Sequence, residues 1–220
     1  LITSITISDS VTEIGEYAFG ECANLEKVTF GSGVKTLSGV FLYASDKLTE
    51  VVLSEGIERI EESVFSSLDN LVKITLPKSL KYVAAEAFDS GYLLKDVYYN
   101  SDLTDWMNIE FEAGYYPNFN GASLYLNGEL LENLVIPEEF TEIPKYAFAG
   151  VKSIKSVEMH DNVEVVSNGA FMYCSSIKSL KLSKNLTEIG NYALKNCSGL
   201  EAIDLPKKLT AIGEEAFSSC

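Results

Sequence analysis

Residues 198–220 read SGLEAIDLPKKLTAIGEEAFSSC, and this order of apolar residues recurs along most of the chain. The apolar positions in the stretch are Leu200, Ile203, Leu205, Leu209, Ile212, Ala216, Phe217 and Cys220. The same order is found 23 residues earlier, from Ile177 to Cys197, and again from Ile154 to Cys174. A fixed period of this length is typical of a solenoid, in which each unit buries its apolar residues only against its neighbours.

The period divides the chain into about nine units. The first five units open 23 residues apart, at Ile2, Leu25, Leu48, Leu71 and Leu94. The next unit opens at Leu131, which is 37 residues after Leu94, so the fifth unit carries 14 extra residues. We therefore predict one domain with regular repeats at 1–93, an expanded irregular repeat at 94–130 and regular repeats at 131–220. Because both ends of the sequence lie inside repeats, we expect this domain to be a fragment of a longer protein.

Each unit reads as two short strands and a turn. Val28 and Phe30 alternate with polar residues, which indicates a short strand with one face inward. Several of these strands end at a proline, at Pro77, Pro137 and Pro206. A second apolar pair and a compact turn follow, and the turn is expected to be 3-10 or helical. Stacked in register, the units predict a solenoid with a parallel sheet on one side and phenylalanines stacked inside.

Composition excludes several classes of partner. The 220 residues include 32 acidic and 17 basic residues, for a net charge of −15. Binding to nucleic acid is excluded because phosphate neutralisation requires a basic face. The sequence also has no run of about 18 apolar residues, so no membrane span is expected in this stretch.

The four cysteines occupy one repeat position, at Cys22, Cys174, Cys197 and Cys220. Other units place Leu68 or Val151 there, which indicates a core position and favours free, buried thiols. Adjacent coils are expected about 4.8 Å apart, within the Cα range of a disulfide, so a bridge between two of the last three cysteines stays open.

Catalytic and metal-binding patterns are absent from the sequence. The single histidine, His160, follows a strand at a place where other units carry Ser54 or Pro206, which indicates a solvated turn residue. One histidine and four dispersed cysteines give no zinc-ligand spacing, and no phosphate loop or hydrolase motif occurs. We expect no enzyme activity, no catalytic residue, no cofactor and no metal.

The expanded repeat concentrates aromatic residues. Asn127-Gly128, flanked by apolar residues, predicts a two-residue hairpin. Two interpretations of the aromatics stay open: they pack together over an interrupted core, or they form an exposed patch that grips a peptide or a sugar ring. On the second interpretation Tyr115, Tyr116 and Phe119 are candidate contact residues.

The outward positions of the strands form columns on the sheet face, where solenoids commonly bind partners. One column is least polar at its centre, and its candidate contacts are Val52, Thr75, Tyr98 and Val135. The alternative is an ordinary column of strand-forming residues that binds nothing.

The unit C-x-x-L-x-x-[VI]-x-[LIF]-P-x-x-L-x-x-I-x-x-x-A-F-x-x-C resembles the BspA-like class of leucine-rich repeats, over essentially the whole chain except about 108–129. The second repeat departs from it, with Val40-Phe41-Leu42-Tyr43 where Ala-Phe is expected, so a local distortion is expected there. The resemblance implies a non-catalytic module of a bacterial cell-surface or secreted protein, with a host, matrix or cell-surface protein as partner. The alternatives are a structural spacer and a carbohydrate-binding accessory region of an extracellular enzyme, for which the partner would be a glycan.

Overall fold

A computed structural model of the chain describes residues 2–66, 68–88, 93–112 and 119–220. The strands before the expanded repeat are β1 (Ser4–Thr6), β2 (Lys27–Phe30), β3 (Thr36–Leu37), β4 (Glu50–Leu53), β5 (Arg59–Ile60), β6 (Lys73–Leu76) and β7 (Tyr82–Val83). The expanded repeat contains β8 (Asp96–Tyr99), α1 (Leu103–Met107), β9 (Glu110–Phe111), β10 (Ser123–Leu126) and β11 (Glu129–Leu130). The later strands are β12 (Asn133–Val135), β13 (Glu142–Ile143), β14 (Ser156–Glu158), β15 (Val165–Val166), β16 (Ser179–Lys181), β17 (Glu188–Ile189) and β18 (Ala211–Ile212).

These elements form a solenoid of about nine coils, as predicted. The longer strands of successive coils make the main face, in the order β1-β2-β4-β6-β8-β10-β11 and then, in a separate sheet, β12-β14-β16. The pairing is parallel except between β10 and β11, and in the regular repeats Val28 lies opposite Val51. In the regular repeats, residues that are 23 positions apart in the sequence therefore lie opposite each other in the parallel sheet.

The two-residue strands form a second face, also in two sheets, with the orders β3-β5-β7-β9 and β13-β15-β17-β18. Each of these pairs is parallel, as in Ile60 opposite Val83 and Val166 opposite Ile189. Both faces are thus interrupted at the same level of the solenoid, between the coil of β8 and β9 and the coil of β12 and β13.

A third side is made by the Ala-Phe turns, which are short but not helical. In one turn the Ala149 amide donates to the Tyr146 carbonyl, at 3.0 Å, while the Phe148 amide donates across to Ala170 in the next coil, also at 3.0 Å. The chain reverses here because Tyr146 and Gly150 have left-handed φ angles of 56° and 80°. Turn residues therefore also link one coil to the next.

Phenylalanine rings stack along the solenoid axis. The rings of Phe148 and Phe171 are 5.6 Å apart and nearly parallel, at 8°. In the first half Phe65 stacks on Phe88 at 5.0 Å. In the second repeat, Phe41 and Leu42 are both buried where other units have Ala-Phe, so the departing sequence still fills the core.

The cysteine position has a specific hydrogen bond. The Sγ of Cys174 donates to the Phe148 carbonyl of the preceding coil at 2.9 Å, and Cys197 bonds the Phe171 carbonyl at 3.1 Å. Ser45 at the equivalent position donates through Oγ to the Phe19 carbonyl at 3.3 Å. This position therefore suits a small side chain that can donate a hydrogen bond. All four cysteines lie in the described ranges, and none of them forms a disulfide.

We predict that Phe171→Ala lowers the free energy of unfolding by about 3–5 kcal/mol, because Phe171 is fully buried and its removal leaves a cavity. Urea denaturation measures the change, with exposed Lys178→Ala as the matched control. An unchanged midpoint for Phe171→Ala would contradict the stacked core.

We predict that two thiols resist modification in the native protein. Burial raises the pKa of the Cys197 thiol to about 12 and that of Cys174 well above the ordinary value of 9.0. At pH 8 a thiol reagent should label exposed Cys220 and half-buried Cys22 first, and all four after unfolding. The folded protein holds these protons more tightly than the unfolded chain does. The contribution of the buried thiols to stability is therefore fully present below pH 9.0 and declines as pH rises towards 12. Rapid native labelling of Cys174, or a melting temperature that does not fall above pH 9.0, would contradict this.

Candidate functional site

The expanded repeat adds a strand to the main face. β10 pairs in parallel with β8, so that Tyr125 lies opposite Tyr98. β10 and β11 then form an antiparallel hairpin around Asn127 and Gly128, whose φ angles are 48° and 83°. Two left-handed residues are what a tight hairpin turn requires, so the predicted hairpin is confirmed.

The hairpin changes the column of outward residues. Val52, Thr75 and Tyr98 follow one another in register, as expected. The next member is Tyr125, and Val135 lies in the other sheet, opposite Glu158. The prediction that Val135 follows Tyr98 was therefore wrong, because the inserted hairpin takes the adjacent place.

Tyr98 and Tyr125 form the centre of an aromatic row. Their rings are stacked, with centroids 4.4 Å apart and planes at 10°. The Nζ of Lys73 lies 4.8 Å from the centroid of the Tyr98 ring, within cation–π distance. We call Val52, Thr75, Tyr98 and Tyr125, all half-buried in the main face, the aromatic row.

Three charged residues beside the row form one ion-pair cluster. Glu50 lies 3.0 Å from the Nζ of Lys27 and 3.3 Å from that of Lys73. Burial alone would raise the pKa of Glu50, but hydrogen bonds and charge from the two lysines lower it overall. Glu50 is therefore held as a carboxylate between two lysine side chains beside the row. Burial also raises the pKa of Tyr125.

Beyond the row, apolar side chains are exposed where the sheet is interrupted. Leu130, opposite Tyr125 in the hairpin, is 41% exposed, and Val135 is 60% exposed. A groove of about 520 Å³ lies between the hairpin and β12, lined by Leu126, Glu129, Leu130, Leu131, Glu132 and Asn133. The main face is thus neither continuous nor uniformly polar at this level, which is where a partner would find apolar surface.

The other predicted aromatic contacts have different outcomes. Tyr115 and Tyr116 lie outside the described residues. Phe119 is only 4% exposed and packs against Phe88 and Trp106, with ring centroids at 5.3 Å and 5.8 Å. Its prediction as a contact residue was wrong, because the core of the expanded repeat needs its ring.

Trp106 shows how aromatics cover the interruption. It is fully buried, packs on Phe111 at 5.1 Å, and donates from Nε1 to the Ala147 carbonyl at 2.8 Å. Ala147 belongs to the coil beyond the interruption, so this bond joins the two halves of the solenoid. For Trp106, Phe111 and Phe119, packing over the interrupted core is the interpretation that fits.

Sequence reasoning found the hairpin strand that contains Tyr125 but did not place Tyr125 next to Tyr98 in the column of outward residues. The run Leu124-Tyr125-Leu126 has the same alternation as Val97-Tyr98-Tyr99, but it follows after 27 residues instead of 23. A search for the strand pattern without a fixed period would have given this placement.

Among the described residues, neither a metal-binding cluster nor a membrane-spanning helix occurs. They contain no group of three or more His, Cys, Asp or Glu side chains that could hold a metal ion. His160 accepts at Nδ1 from the Asn162 amide, at 3.1 Å, which leaves Nε2 to donate to the Pro137 carbonyl at 2.9 Å. Its ring therefore fixes a turn. Within the described ranges, no helix has the length and apolar character to cross a membrane.

Comparison with known proteins gives a family and a fold. A model of the BspA-type leucine-rich repeat region matches residues 1–115 and 121–220 in six copies. A leucine-rich cell-surface protein from Faecalibacterium prausnitzii A2-165 is similar in structure, with a TM-score of 0.55 and 24% identity, over 99% of this chain and 70% of that one. The pneumococcal vaccine antigen PcpA is also similar, with a TM-score of 0.54 and 21% identity, over 96% of this chain and 58% of that one. No curated protein matches the chain.

Proposed function

Since this chain belongs to the BspA-type leucine-rich repeat family, we propose that it is a non-catalytic protein-recognition module that binds through its aromatic row and the adjoining groove. The supporting observation is that the stacked Tyr98 and Tyr125 lie beside exposed Leu130 at the end of one sheet. Val135 is exposed in the first strand of the next sheet. Tyrosine is over-represented among residues that dominate binding energy, and such residues are commonly surrounded by a polar rim. Glu129 and Glu132 supply polar rim positions at the groove.

The arrangement of the rings favours a protein over a glycan. A sugar stacks its aliphatic face on a free aromatic face. One face of Tyr98 is turned to Tyr125, and the Lys73 ammonium lies over the ring as well. The Tyr98 ring can therefore offer its edge and hydroxyl group, which suit peptide groups and side chains of a protein surface.

The face also argues against a spacer with no binding role. A spacer needs only a continuous polar sheet, and exposed apolar side chains add a risk of aggregation. Here the sheet is interrupted at a groove lined by exposed Leu130, and Val135 in the next strand is 60% exposed. An interrupted sheet with exposed apolar residues is more typical of a binding surface than of a spacer.

We place this module at the surface of a bacterial cell or in a secreted protein, where it adheres to a host, matrix or cell-surface protein. The similar structure from Faecalibacterium prausnitzii is described as a cell-surface protein, which supports this location. Because the net charge is −15, a protein with a basic surface is the most favourable partner. Opposite charge speeds association and complements the negative electrostatic potential of this chain.

We predict that Tyr98→Ala and Tyr125→Ala each weaken binding to the partner about tenfold or more, as expected for the centre of an interface. The chain is first screened against arrays of host and matrix proteins and of glycans, and affinities for each hit are then measured by biolayer interferometry. Tyr43→Ala is the matched control, because Tyr43 is an exposed tyrosine that the main-face strands do not include.

Val135→Glu tests the groove side of the same surface and should also weaken binding, by placing a charge at an exposed apolar position. If none of the three main-face changes alters affinity for any identified protein, the aromatic row is not the site. Hits confined to glycans would favour the carbohydrate-binding alternative.

A further inference from the structure

A second cleft lies on the second face of the solenoid, at the level where both faces are interrupted. β9 ends one sheet of the second face and β13 begins the other. Between them is a cleft of about 480 Å³, lined by residues of both edges, among them Glu110, Phe111, Glu142, Pro144 and Tyr146. An edge strand exposes backbone donors and acceptors that another strand can pair with.

Pro144 removes one of the bonds that would pair β13 with β9. In other coils, the residue after the second strand donates its amide to the coil before: Glu112 to the Val83 carbonyl at 2.9 Å, and Ser167 to the Ile143 carbonyl at 3.1 Å. Pro144 has this position after β13. Proline has no N–H, so its coil cannot make the equivalent bond to β9.

The register identifies the carbonyls left for another strand. β7 and β9 pair Val83 with Phe111, so Lys81 corresponds to Ile109. The carbonyls of Lys81 and Val83 accept the amides of Glu110 and Glu112, both at 2.9 Å. In β9 the carbonyls of Ile109 and Phe111 correspond to those of Lys81 and Val83 in β7. They therefore point away from β7, at the side of β9 that faces the cleft. Within the described ranges, no strand pairs with β9 on that side.

The charge and the floor of the cleft indicate the occupant. Exposed Glu110, Glu112 and Glu142 line it, and Lys145 is the one basic residue that the described lining contains. A second copy of this chain, with a net charge of −15, is repelled from such a site. The nearly buried ring of Phe111 contributes an apolar floor.

The core behind the cleft is closed. The Trp106 ring packs on Phe111, and its Nε1–H bonds Ala147 in the coil beyond, at 2.8 Å. An occupant therefore has access to the edge of β9 without displacing the core.

We propose that this cleft binds an extended, basic peptide segment of a partner protein by strand addition to β9. The segment runs parallel to β9 and donates alternate amides to the carbonyls of Ile109 and Phe111. Its lysine or arginine side chains lie beside Glu110 and Glu142, and its apolar side chains face Phe111. Main-chain bonds give affinity in this mode and the alternating side chains give selectivity. This site is separate from the aromatic row, so an experiment can disprove either proposal without affecting the other.

The test uses the whole chain and a fluorescein-labelled octapeptide that alternates lysine and valine, with binding followed by fluorescence anisotropy. Two further peptides carry N-methyl groups on all lysine amides or on all valine amides. Alternate amides of a strand point to opposite edges, so one methylated peptide should bind about tenfold more weakly and the other like the parent. If both or neither lose affinity, or if the parent peptide shows no saturable binding, strand addition to β9 is wrong.

Protein variants locate the peptide. Glu110→Gln and Glu142→Gln should each weaken binding about threefold, as expected for exposed charges. Glu188→Gln is the matched control, because Glu188 has the same ladder position two coils beyond Glu142 and lies away from the cleft. Tyr98→Ala should leave the affinity unchanged. An equal effect of Glu188→Gln, or a loss with Tyr98→Ala, would place the peptide elsewhere and overturn the proposal.

Discussion

Backbone hydrogen bonding between coils is the constraint on which this structure depends. A coil of 23 residues pairs some of its turn amides internally, but the amides and carbonyls of its strands must find partners in the coils above and below. Strands on two faces and the Ala-Phe turns on the third side all provide such bonds. Once these ladders set the register, side chains 23 positions apart lie in columns. The phenylalanine stack, the cysteine-to-carbonyl bonds and the outward columns all follow from that spacing.

The expanded repeat is where this constraint is relaxed. On the main face a hairpin ends one sheet, and on the second face Pro144 lacks the amide for one bond between β13 and β9. The solenoid nevertheless remains joined, because Trp106 donates to Ala147 and the rings of Phe111 and Phe119 fill the core. Both proposed binding surfaces lie at this level. Unpaired edges and exposed apolar residues are costly in a regular solenoid, and a partner can satisfy them.

The sequence was sufficient for the regular coils because their pattern repeats the same physical requirement eight times. Val28, Val51 and Ile74 are spaced as the parallel register demands, and burial follows directly. The expanded repeat has one copy, so its register could not be inferred by comparison between units. Val135 was consequently placed beside Tyr98, where the structure has Tyr125. The left-handed turn residues were also missed, since Tyr146 and Tyr173 are not residue types that signal positive φ.

Cross-linking across the interruption tests the account most directly. In a background with the four native cysteines replaced by serine, which Ser45 shows to be compatible with that position, Tyr98→Cys is combined with Tyr125→Cys or with Val135→Cys. Neighbouring strands lie about 4.8 Å apart, within disulfide range. Mass spectrometry after mild oxidation should find the bridge in the first pair and not in the second. A bridge between positions 98 and 135, with none between 98 and 125, would contradict the inserted hairpin and the register built around it.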